Sequence, residues 1–569
     1  MTRRRIHMKS WLLPLLVIVG VNVLSYFFHA GIDLTAEKRF TLSESSRKLV
    51  SDIKDPFTLT VYLEGDMPAG FKRLANAAED MGSSFNALSV GKFVVEFERP
   101  GEGLNDSLKA VLFDSLQRMG INPTNVKAQQ KKGEQTEQTL VFPGAILTGP
   151  KGQVGIDFLE GQSNLNGLES LNNAEALMEY KIAKALVMLQ RDTLPAIAYL
   201  TGNGEPLDLS VYDLIEGVLR RDYRVAVLPI DSVSFIPKDF SAIVIAKPVS
   251  AFSKIQKLKI DQYIMGGGKV LWAMDNLFAS MDSLQRSSGS FIAFDLGLDL
   301  DEQLFKYGVR INRDLVQDLE CDKVPSVIGS IGDKPQIELL PWPYSPLLSN
   351  IGGHPISRNL DVVLSSFPQS IDTVASPGIS KHLLLASSLY SRSLQTPAIV
   401  EWRSIKNEED LNLFNRPNIP VAVLLEGKFS SAFTNRLSKT ELETLMTLDG
   451  PFKTQCIEPN QMIVISDADI LLNPVSEQDG PLRMGTNAYT RQQFANRDFV
   501  ANCLFYLTGG EGIMEARTKT FRLRLLDKEK IEQDAGFWKA LNVLLPLLLP
   551  VIIFFLYSFF RKRQFAYRS

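Results

Sequence analysis

A short turn, Gly202-Asn203-Gly204-Glu205, is the part of this sequence whose residue types and spacing best fit a binding site. It follows an apolar segment predicted as a strand and precedes a predicted helix. In a parallel sheet such a turn lies at the carboxyl edge, where ligands tend to bind, and its backbone N–H groups can hold an anion. The acidic side chain at the end of the turn would repel an anion. The four residues therefore predict either a ligand site or a tight structural turn.

Three further residues are candidates for a covalent nucleophile: Ser430, Ser431 and Asp275. Both serines lie outside any G-x-S-x-G pattern, and no neighbouring residue supplies a base. Asp275 stands where a hydrolase of the glutamine-amidotransferase type carries a cysteine, and a carboxylate lacks the thiolate that this chemistry needs. A cryptic hydrolase is therefore the third of three hypotheses, and the sequence predicts a protein that is not an enzyme.

The segment Gly266-Gly267-Gly268-Lys269 resembles a phosphate-binding loop only superficially. Its spacing differs from GxxxxGK[ST], and Val270 stands where a magnesium-binding hydroxyl is needed. A helix that ends at glycine before a strand explains the segment better. The chain is therefore expected to bind no nucleotide cofactor and to be unable to use ATP by itself.

Composition excludes other classes of protein. The chain has 569 residues, 45% of them hydrophobic, and a net charge of -3, and it has no basic stripe of the kind that binds nucleic acid. The three cysteines, Cys321, Cys456 and Cys503, are too few and too widely spaced for a disulfide framework; buried free thiols or one bridge are the alternatives. Two of the four histidines flank the first apolar run and two are isolated, so no metal site is predicted.

Two apolar runs, Trp11 to Phe28 and Phe537 to Phe560, lie near the ends of the chain. A bilayer core about 30 Å thick requires about 20 apolar residues in a helix, so each run predicts a transmembrane helix. Basic residues before the first run place the N-terminus in the cytoplasm. A cleaved signal peptide is the alternative for the first run, but its apolar core is usually shorter. We expect two anchors and a large body outside the cytoplasm.

The body begins with predicted elements in the order β-α-β-α-β-β, which suits a small thioredoxin-like domain. This domain has no Cys-x-x-Cys, so it is expected to lack redox activity. A helix, NNAEALMEYKIAKALVMLQ, leads to a second domain in which strands rich in β-branched residues alternate with helices. That alternation predicts a parallel sheet covered by helices. Residues 275–410 are rich in Ser, Pro and Asp and are interpreted as an insertion with its own strands.

Nine segments occur in a fixed order along the chain: RFTLSESSRKL, VYLEGDMPAGFKRL, LVFPGAI, YLTGNGE, AKPVSAFSKIQKLKIDQYIMGGGKVLW, DEQLFKYGVRINRDLVQD, LPWPYSPLL, HPISRNLD and VAVLLEGKFSSAF. Together they resemble the GldG family, the gliding-motility-associated ABC transporter auxiliary (substrate-binding) components of Bacteroidetes. The resemblance extends from about residue 35 through the second apolar run. At the turn that this family carries as Gly-His-Gly-Glu, the present chain has Asn203.

The resemblance implies a two-pass protein of the inner (cytoplasmic) membrane whose body faces the periplasm. It also implies a second domain of the flavodoxin or glutamine-amidotransferase-like fold. Expected partners are an ABC permease, a separate ATPase, membrane lipid and envelope proteins of motility or secretion. The predicted segments are 1–10 (cytoplasmic tail), 11–29 (first transmembrane helix), 30–170 (thioredoxin-like domain), 171–194 (connecting helix), 195–512 (auxiliary α/β domain, with an insertion at about 275–410), 513–536 (juxtamembrane connector), 537–560 (second transmembrane helix) and 561–569 (cytoplasmic tail).

Two hypotheses lead. In the first, the chain is a non-catalytic subunit that couples the permease and ATPase to partners outside the cytoplasm. In the second, it is a module that binds a glycan, lipid or peptide in a cleft near Gly202 to Glu205, at the edge of the sheet or at the junction of the domains.

Overall fold

The computed structural model shows a mixed α/β protein with parallel and antiparallel sheets. The chain separates into two compact units, Met1–Phe521 and Arg522–Ser569. The residues that the structure describes are 19–20, 41–65, 67–128, 137–160, 167–286, 289–331, 334–402, 405, 407–448, 450–518 and 534–566.

The first sheet of the larger unit has four strands in the order β2–β1–β5–β6, and its helices cover a core of apolar side chains. Strand β1 pairs in parallel with β2 and antiparallel with β5, which pairs antiparallel with β6. Alternate residues of β1 are fully buried, as expected for a strand with one face on a core. The elements are helices α1 Glu44–Ser51, α2 Ala69–Leu88 and α3 Asp106–Arg118 and strands β1 Phe57–Val61, β2 Phe93–Phe97, β3 Thr124–Ala128, β4 Glu137–Val141, β5 Gly144–Gly149 and β6 Gly152–Asp157.

Helix α4, Gly167–Gln190, follows this sheet and contributes to two hydrophobic cores. One set of its buried side chains, which includes Met178 and Ile182, packs in the core of the four-stranded sheet, here called the first core. Tyr180 and Ala183 instead pack in a core on one face of the next sheet, here called the second core. A helix that is apolar on two faces is expected to be buried between layers, and α4 occupies such a position.

The remaining part of the larger unit is built around a seven-stranded sheet with an insertion of smaller sheets. The strands are β7 Ala196–Thr201, β8 Arg224–Pro229, β9 Phe240–Ala246, β10 Lys269–Ala273, β11 Leu277–Phe278, β12 Ser290–Asp295, β13 Val309–Ile311, β14 Asp314–Asp318, β15 Cys321–Ile331, β16 Lys334–Leu348, β17 Val363–Leu364, β18 Ile371–Thr373, β19 Ile379–Ala386, β20 Ser391–Gln395, β21 Ala398–Glu401, β22 Pro420–Gly427, β23 Asn460–Ile465, β24 Val475–Ser476 and β25 Gly480–Pro481. The helices are α5 Arg220–Asp222, α6 Lys254–Met265, α7 Met281–Arg286, α8 Asp301–Tyr307, α9 Lys439–Leu448, α10 Asn496–Phe505 and α11 Glu511–Met514, with 3₁₀ turns Leu209–Val211, Ile230–Ser232, Glu408–Leu413, Ala468–Leu471 and Glu515–Thr518 and π-helical turns Asp213–Leu219 and Tyr506–Gly510.

The seven-stranded sheet has the order β19–β22–β23–β10–β9–β7–β8. The five strands from β23 to β8 run parallel, as the strand-helix alternation predicts. Strand β22 runs antiparallel to β23, which the sequence did not predict. Strand β19 in turn pairs antiparallel with β22, so it runs in the same direction as the five parallel strands. The chain leaves β10 at the carboxyl edge, forms the inserted sheets, and enters β22 beside the end of β23, because Ala422 pairs with Ile465. A strand that starts at this edge has to run in the opposite direction.

The predicted insertion contains four small sheets: β11–β12–β21, β13–β18, β14–β20 and β15–β16–β17. Its core is aromatic, because Trp342 packs edge-on against Phe367 with the ring centroids 5.3 Å apart and lies 5.3 Å from Tyr344. Strand β19 lies in the same stretch of sequence but belongs to the seven-stranded sheet. The limits assigned to each domain in the sequence stay predictions.

The smaller unit contains helix α12, Ala535–Ala566, with Pro546 and Pro550 inside it. Its segment Ala535–Phe560 is long and apolar enough to cross a membrane, judged by length and composition. The predicted first span, 11–29, lies outside the described residues except for 19–20, and most of the predicted connector 513–536 also lies outside them. One of the two predicted anchors therefore has a helix of suitable length among the described residues.

Candidate functional site

The predicted turn follows β7 and is held in one conformation by its glycines. Gly202 has φ 138° and Gly204 has φ 85°, backbone values that residues with a Cβ rarely adopt. A Cβ on Gly204 would lie 2.5 Å from the Val249 side chain, so the loop after β9 approaches this turn closely. Between the glycines, Asn203 is 2% exposed, and Glu205 is 7% exposed. The sequence thus places two buried polar side chains in a strained turn.

The turn lies at the point of the sheet where ligands are usually bound. The parallel strands have the order β8–β7–β9–β10–β23, so the direction of winding reverses between β7 and β9, and the crevice of such sheets opens at that switch point. Here the turn after β7 and the loop after β9 form hydrogen bonds with each other. The N–H groups of Val249 and Ser250 donate to the Asn203 carbonyl at 2.8 and 2.9 Å, and the Asn203 amide donates to the Ala251 carbonyl at 3.1 Å. The two loops that border the crevice are therefore hydrogen-bonded to each other.

The Glu205 carboxylate takes the place that an anionic ligand would need. Its Oε2 accepts the Asn203 N–H at 2.8 Å. Burial raises the pKa of Glu205, and hydrogen bonds from backbone N–H groups of the turn oppose that shift. The Asn203 amide also donates to Gln256, whose own amide donates to Asp231. These contacts describe a closed structural turn, and a ligand role for Gly202, Asn203, Gly204 and Glu205 stays a prediction.

Asp275 lies in a buried ion cluster at the same edge of the sheet. Its Oδ1 accepts the Ala468 N–H at 2.9 Å, and its Oδ2 lies 3.7 Å from the Lys247 ammonium, which also pairs with Asp469. Burial raises the pKa of Asp275 to about 6, and Lys247 opposes that shift. The carboxylate is thus engaged in holding two loops together.

Ser431 donates a hydrogen bond to Asp261 at 2.6 Å and accepts the Phe433 N–H at 3.0 Å. It is 1% exposed. In the described part of the chain its partners include no imidazole, and His354 and His382 stack on each other with ring centroids 5.3 Å apart. Nucleophilic catalysis needs a hydroxyl that reaches both a base and a substrate. Ser431 instead belongs to a buried hydrogen-bond network.

The glycine segment before β10 ends a helix, as the sequence indicates. Gly266 caps α6 by donating its N–H to carbonyls of the last turn, and Gly267 has φ 95°. A Cβ on Gly268 would lie 2.3 Å from the Tyr263 ring. Lys269 then opens β10. The segment therefore has the geometry of a helix cap that leads into a strand.

The three cysteines are free thiols, with Cys456 and Cys503 buried. Burial raises the pKa of Cys321 to about 12 and that of Cys456 to about 11. Both shifts disfavour the reactive thiolate. Among the residues that the structure describes, no group of three His, Cys, Asp or Glu side chains is arranged to hold a metal ion.

A charged cavity that the sequence did not predict lies where three parts of the larger unit meet. Its volume is about 220 Å³. We call it the joint cavity. One wall comes from β6 and the end of α3, the second from α4, and the third from α5, α10 and the loops beside them. The charged side chains that line it are Arg118, Asp157, Glu160, Lys181, Lys184, Arg221, Asp222, Asp498 and Arg517.

Lys181 is the central cation of the joint cavity. Its ammonium donates to the carbonyls of Asp157, Phe158 and Glu160 at 2.8, 2.9 and 3.2 Å. These hydrogen bonds connect helix α4 to the end of β6 and the residues that follow it. Burial lowers the pKa of Lys181, and the charges of Glu160, Asp157 and Asp498 oppose that shift. The Asp157 carboxylate accepts the Leu159 N–H at 2.8 Å and the Asn122 amide at 2.9 Å.

The carboxylates on opposite walls differ in protonation. Burial raises the pKa of Glu160, but the charges of Arg221, Lys181, Arg497 and Lys184 outweigh it, and the pKa is lowered to about 2. Burial and the charge of Glu160 raise the pKa of Asp498 to about 6. Of these two carboxylates, Glu160 stays ionised across the physiological range, and Asp498 titrates nearer to neutral pH.

The sequence carries one signal for this cavity. Lys181 and Lys184 interrupt the apolar pattern of α4, and charged side chains inside a buried helix require partners. Those partners, Glu160, Asp222 and Asp498, are far apart along the chain, so the signal indicates buried charges without indicating which residues they contact.

The comparisons with known proteins give the class of the chain. A family model described as "ABC-type uncharacterized transport system" matches residues 194–503, which is more than half of the sequence. The class is thus an auxiliary component of an ABC-type transport system. The chain belongs to this family. A second model, "Domain of unknown function (DUF7088)", matches residues 36–148.

No curated protein matches the sequence. Among solved structures, the chain is similar to the mmIFT52 N-terminal domain, with 12% identity and a TM-score of 0.30. That similarity covers 56% of this chain and 98% of the other, and no functional inference is taken from it.

Proposed function

We propose that the protein is a non-catalytic, membrane-anchored subunit of an ABC transport system associated with gliding motility. In this role it couples a permease and a separate ATPase to partners outside the cytoplasm. Membership of the transport family supports the auxiliary role. Gliding motility and the link to Bacteroidetes rest on the sequence resemblance alone.

The coupling role is supported by one observation: helix α4 packs in two hydrophobic cores. Buried residues of this helix belong to the first core and to the second core at once. Interiors are close-packed and transmit displacement, so a push on the four-stranded sheet has to move α4 against the seven-stranded sheet.

The proposed topology has two membrane helices with the body in the periplasm, and the apolar segment Ala535–Phe560 supports the second of them. The two soluble domains are proposed to be thioredoxin-like and flavodoxin-like. The strand order β2–β1–β5–β6 and the parallel order β8–β7–β9–β10–β23 support these assignments.

The test is purification of the full chain from gently solubilised membranes, followed by identification of the bound proteins. The proposal predicts that a permease and an ATPase copurify in fixed proportion. As a control, α12 is replaced by an unrelated apolar helix of equal length, which keeps the anchor and should weaken association with a permease. Isolation of the chain alone in every detergent would refute the proposed function.

A further inference from the structure

We propose that the joint cavity binds a small zwitterionic molecule, a free amino acid or short peptide, through Glu160, Lys184 and Asp498. This inference goes beyond the coupling role and does not depend on the permease or the ATPase.

The lining side chains differ in how much of their hydrogen-bonding capacity is used within the protein. The Glu160 carboxylate lies 3.8 Å from the nearest nitrogen of Arg221, and the Lys184 ammonium lies 3.9 Å from Asp222. Both separations exceed hydrogen-bond length. Asp498 has no hydrogen-bond partner within the described ranges. Glu160 and Lys184 therefore line the joint cavity as members of ion pairs without hydrogen bonds, and Lys184 also lies 5.4 Å from the centroid of the Phe505 ring. Together with Asp498 they keep hydrogen-bonding capacity that a ligand can use.

Most of the other charged groups of the cavity form hydrogen bonds within the protein, and Arg118 pairs with Asp114 at 2.6 Å. Lys181 donates to three backbone carbonyls. Arg221 donates to both carboxylate oxygens of Asp222 at 3.0 and 3.3 Å. Arg517 donates to two backbone carbonyls at 3.0 Å and covers the Tyr180 ring. These contacts hold the cavity walls together. The remaining hydrogen-bonding capacity of Glu160, Lys184 and Asp498 is available to a ligand.

The chemistry of the unused groups selects the class of ligand. An ammonium group can donate to Glu160 and Asp498, and a carboxylate can accept from Lys184; charge-assisted hydrogen bonds of both kinds are strong. A ligand with only a positive charge would meet Lys184, and one with only a negative charge would meet the two carboxylates. A molecule that carries both charges avoids either repulsion.

Glu160, Lys184 and Asp498 lie in different parts of the fold, so a ligand bound to all three would link those parts. Glu160 follows β6, Lys184 lies on α4, and Asp498 lies on α10. A bound zwitterion would therefore connect both sheets through the helix that they share.

Calorimetry with glycylglycine as the probe tests the proposal on the detergent-solubilised full chain. N-acetylglycylglycine, which lacks the ammonium, and glycylglycinamide, which lacks the carboxylate, serve as chemically matched controls. We expect glycylglycine to bind and each control to bind at least about tenfold more weakly. Equal binding of all three compounds would overturn the proposal, and so would the absence of heat from glycylglycine and from every common L-amino acid.

Variants locate the site. Glu160→Gln, Asp498→Asn and Lys184→Met should each weaken glycylglycine binding by about tenfold or more. Lys184→Arg keeps the positive charge and should keep most of the affinity, which ties the loss in Lys184→Met to that charge. The melting midpoint of Lys184→Met shows whether that variant is folded. Lys109→Met changes a lysine whose side chain is 41% exposed and should leave binding unaltered. Full affinity in all three cavity variants would refute the assignment.

Discussion

Met178 and Tyr180 are two positions apart on helix α4 and belong to different hydrophobic cores. Met178 is buried in the first core, and Tyr180 is buried in the second core, where its hydroxyl donates to Asn502 at 3.1 Å. Successive residues of an α-helix are rotated by about 100°, so these two side chains leave the helix on nearly opposite sides. One rigid element thus serves as a wall of both cores.

Shortening a first-core residue of α4 should destabilise the whole larger unit. Ile182 is fully buried in the first core, and Ile182→Ala should cost about 2–5 kcal/mol of unfolding free energy through lost burial and the remaining cavity. Because α4 is shared, the melting midpoint reported by tryptophan fluorescence should fall, although Trp272 lies in the seven-stranded sheet and Trp342 and Trp402 lie in the insertion.

Val111→Ala is the control for this change, because Val111 is 67% exposed and its truncation should alter stability by less than about 0.5 kcal/mol. A tryptophan transition that stays in place in Ile182→Ala, while the four-stranded sheet melts earlier by hydrogen exchange, would show that the two cores are independent.

Removal of the central cation should open the joint between α4 and β6. Lys181→Met leaves three backbone carbonyls without a donor and Asp157 without its countercharge. Breaking a buried charged contact of this kind costs about 3–5 kcal/mol. Limited proteolysis should cut the variant near residue 160 faster than the wild type. The same measurement on Lys109→Met should match the wild type.

Asp498 should make stability depend on pH. Its pKa in the folded protein is about 6, above the ordinary value of about 4, so ionisation is less favourable in the folded chain than in the unfolded chain. The contribution of Asp498 to the stability of the wild type should therefore fall as the pH rises from about 4 to about 6.

Asp498→Asn removes this ionisation. Its unfolding free energy relative to the wild type should increase across that window by about 1–3 kcal/mol and stay constant at higher pH. Denaturation series at several pH values measure the difference. A difference that is the same at every pH would contradict the assignment of the titration to this carboxyl group.

Ser431 should behave as a structural residue. A serine-reactive phosphonate should leave the chain unlabelled, because the hydroxyl is buried and bonded to Asp261. Ser431→Ala should lower stability by about 1–3 kcal/mol, since Asp261 and the Phe433 N–H lose a partner. Labelling of the wild type that disappears in Ser431→Ala would instead support the hydrolase hypothesis.

Local patterns in the sequence predicted much of the fold. The β-branched segments around Lys269–Ala273 and Asn460–Ile465 form parallel strands, and the glycine after Met265 ends its helix. The direction of β22 was not predictable, because a strand has the same composition in either direction and only the route of the chain through the insertion decides it. The π-helical turn Asp213–Leu219 was predicted as an ordinary helix.

The functional site was less accessible to sequence reasoning. The turn from Gly202 to Glu205 was placed correctly after a strand, but its contacts with Val249 and Ser250 depend on which strand follows β7 in the sheet. The joint cavity depends on Glu160, Lys184 and Asp498 meeting across three elements. No spacing along the chain encodes such a meeting, because it arises from packing.

The central claim is that helix α4 carries conformational change between the two sheets when the transporter turns over. Hydrogen–deuterium exchange on the purified complex, with and without a non-hydrolysable ATP analogue, measures this directly. The account predicts that exchange in α4 changes with nucleotide state, while exchange in the surface hairpin β24–β25 does not. Identical exchange in α4 in both states, in a complex whose ATPase binds the analogue, would contradict it.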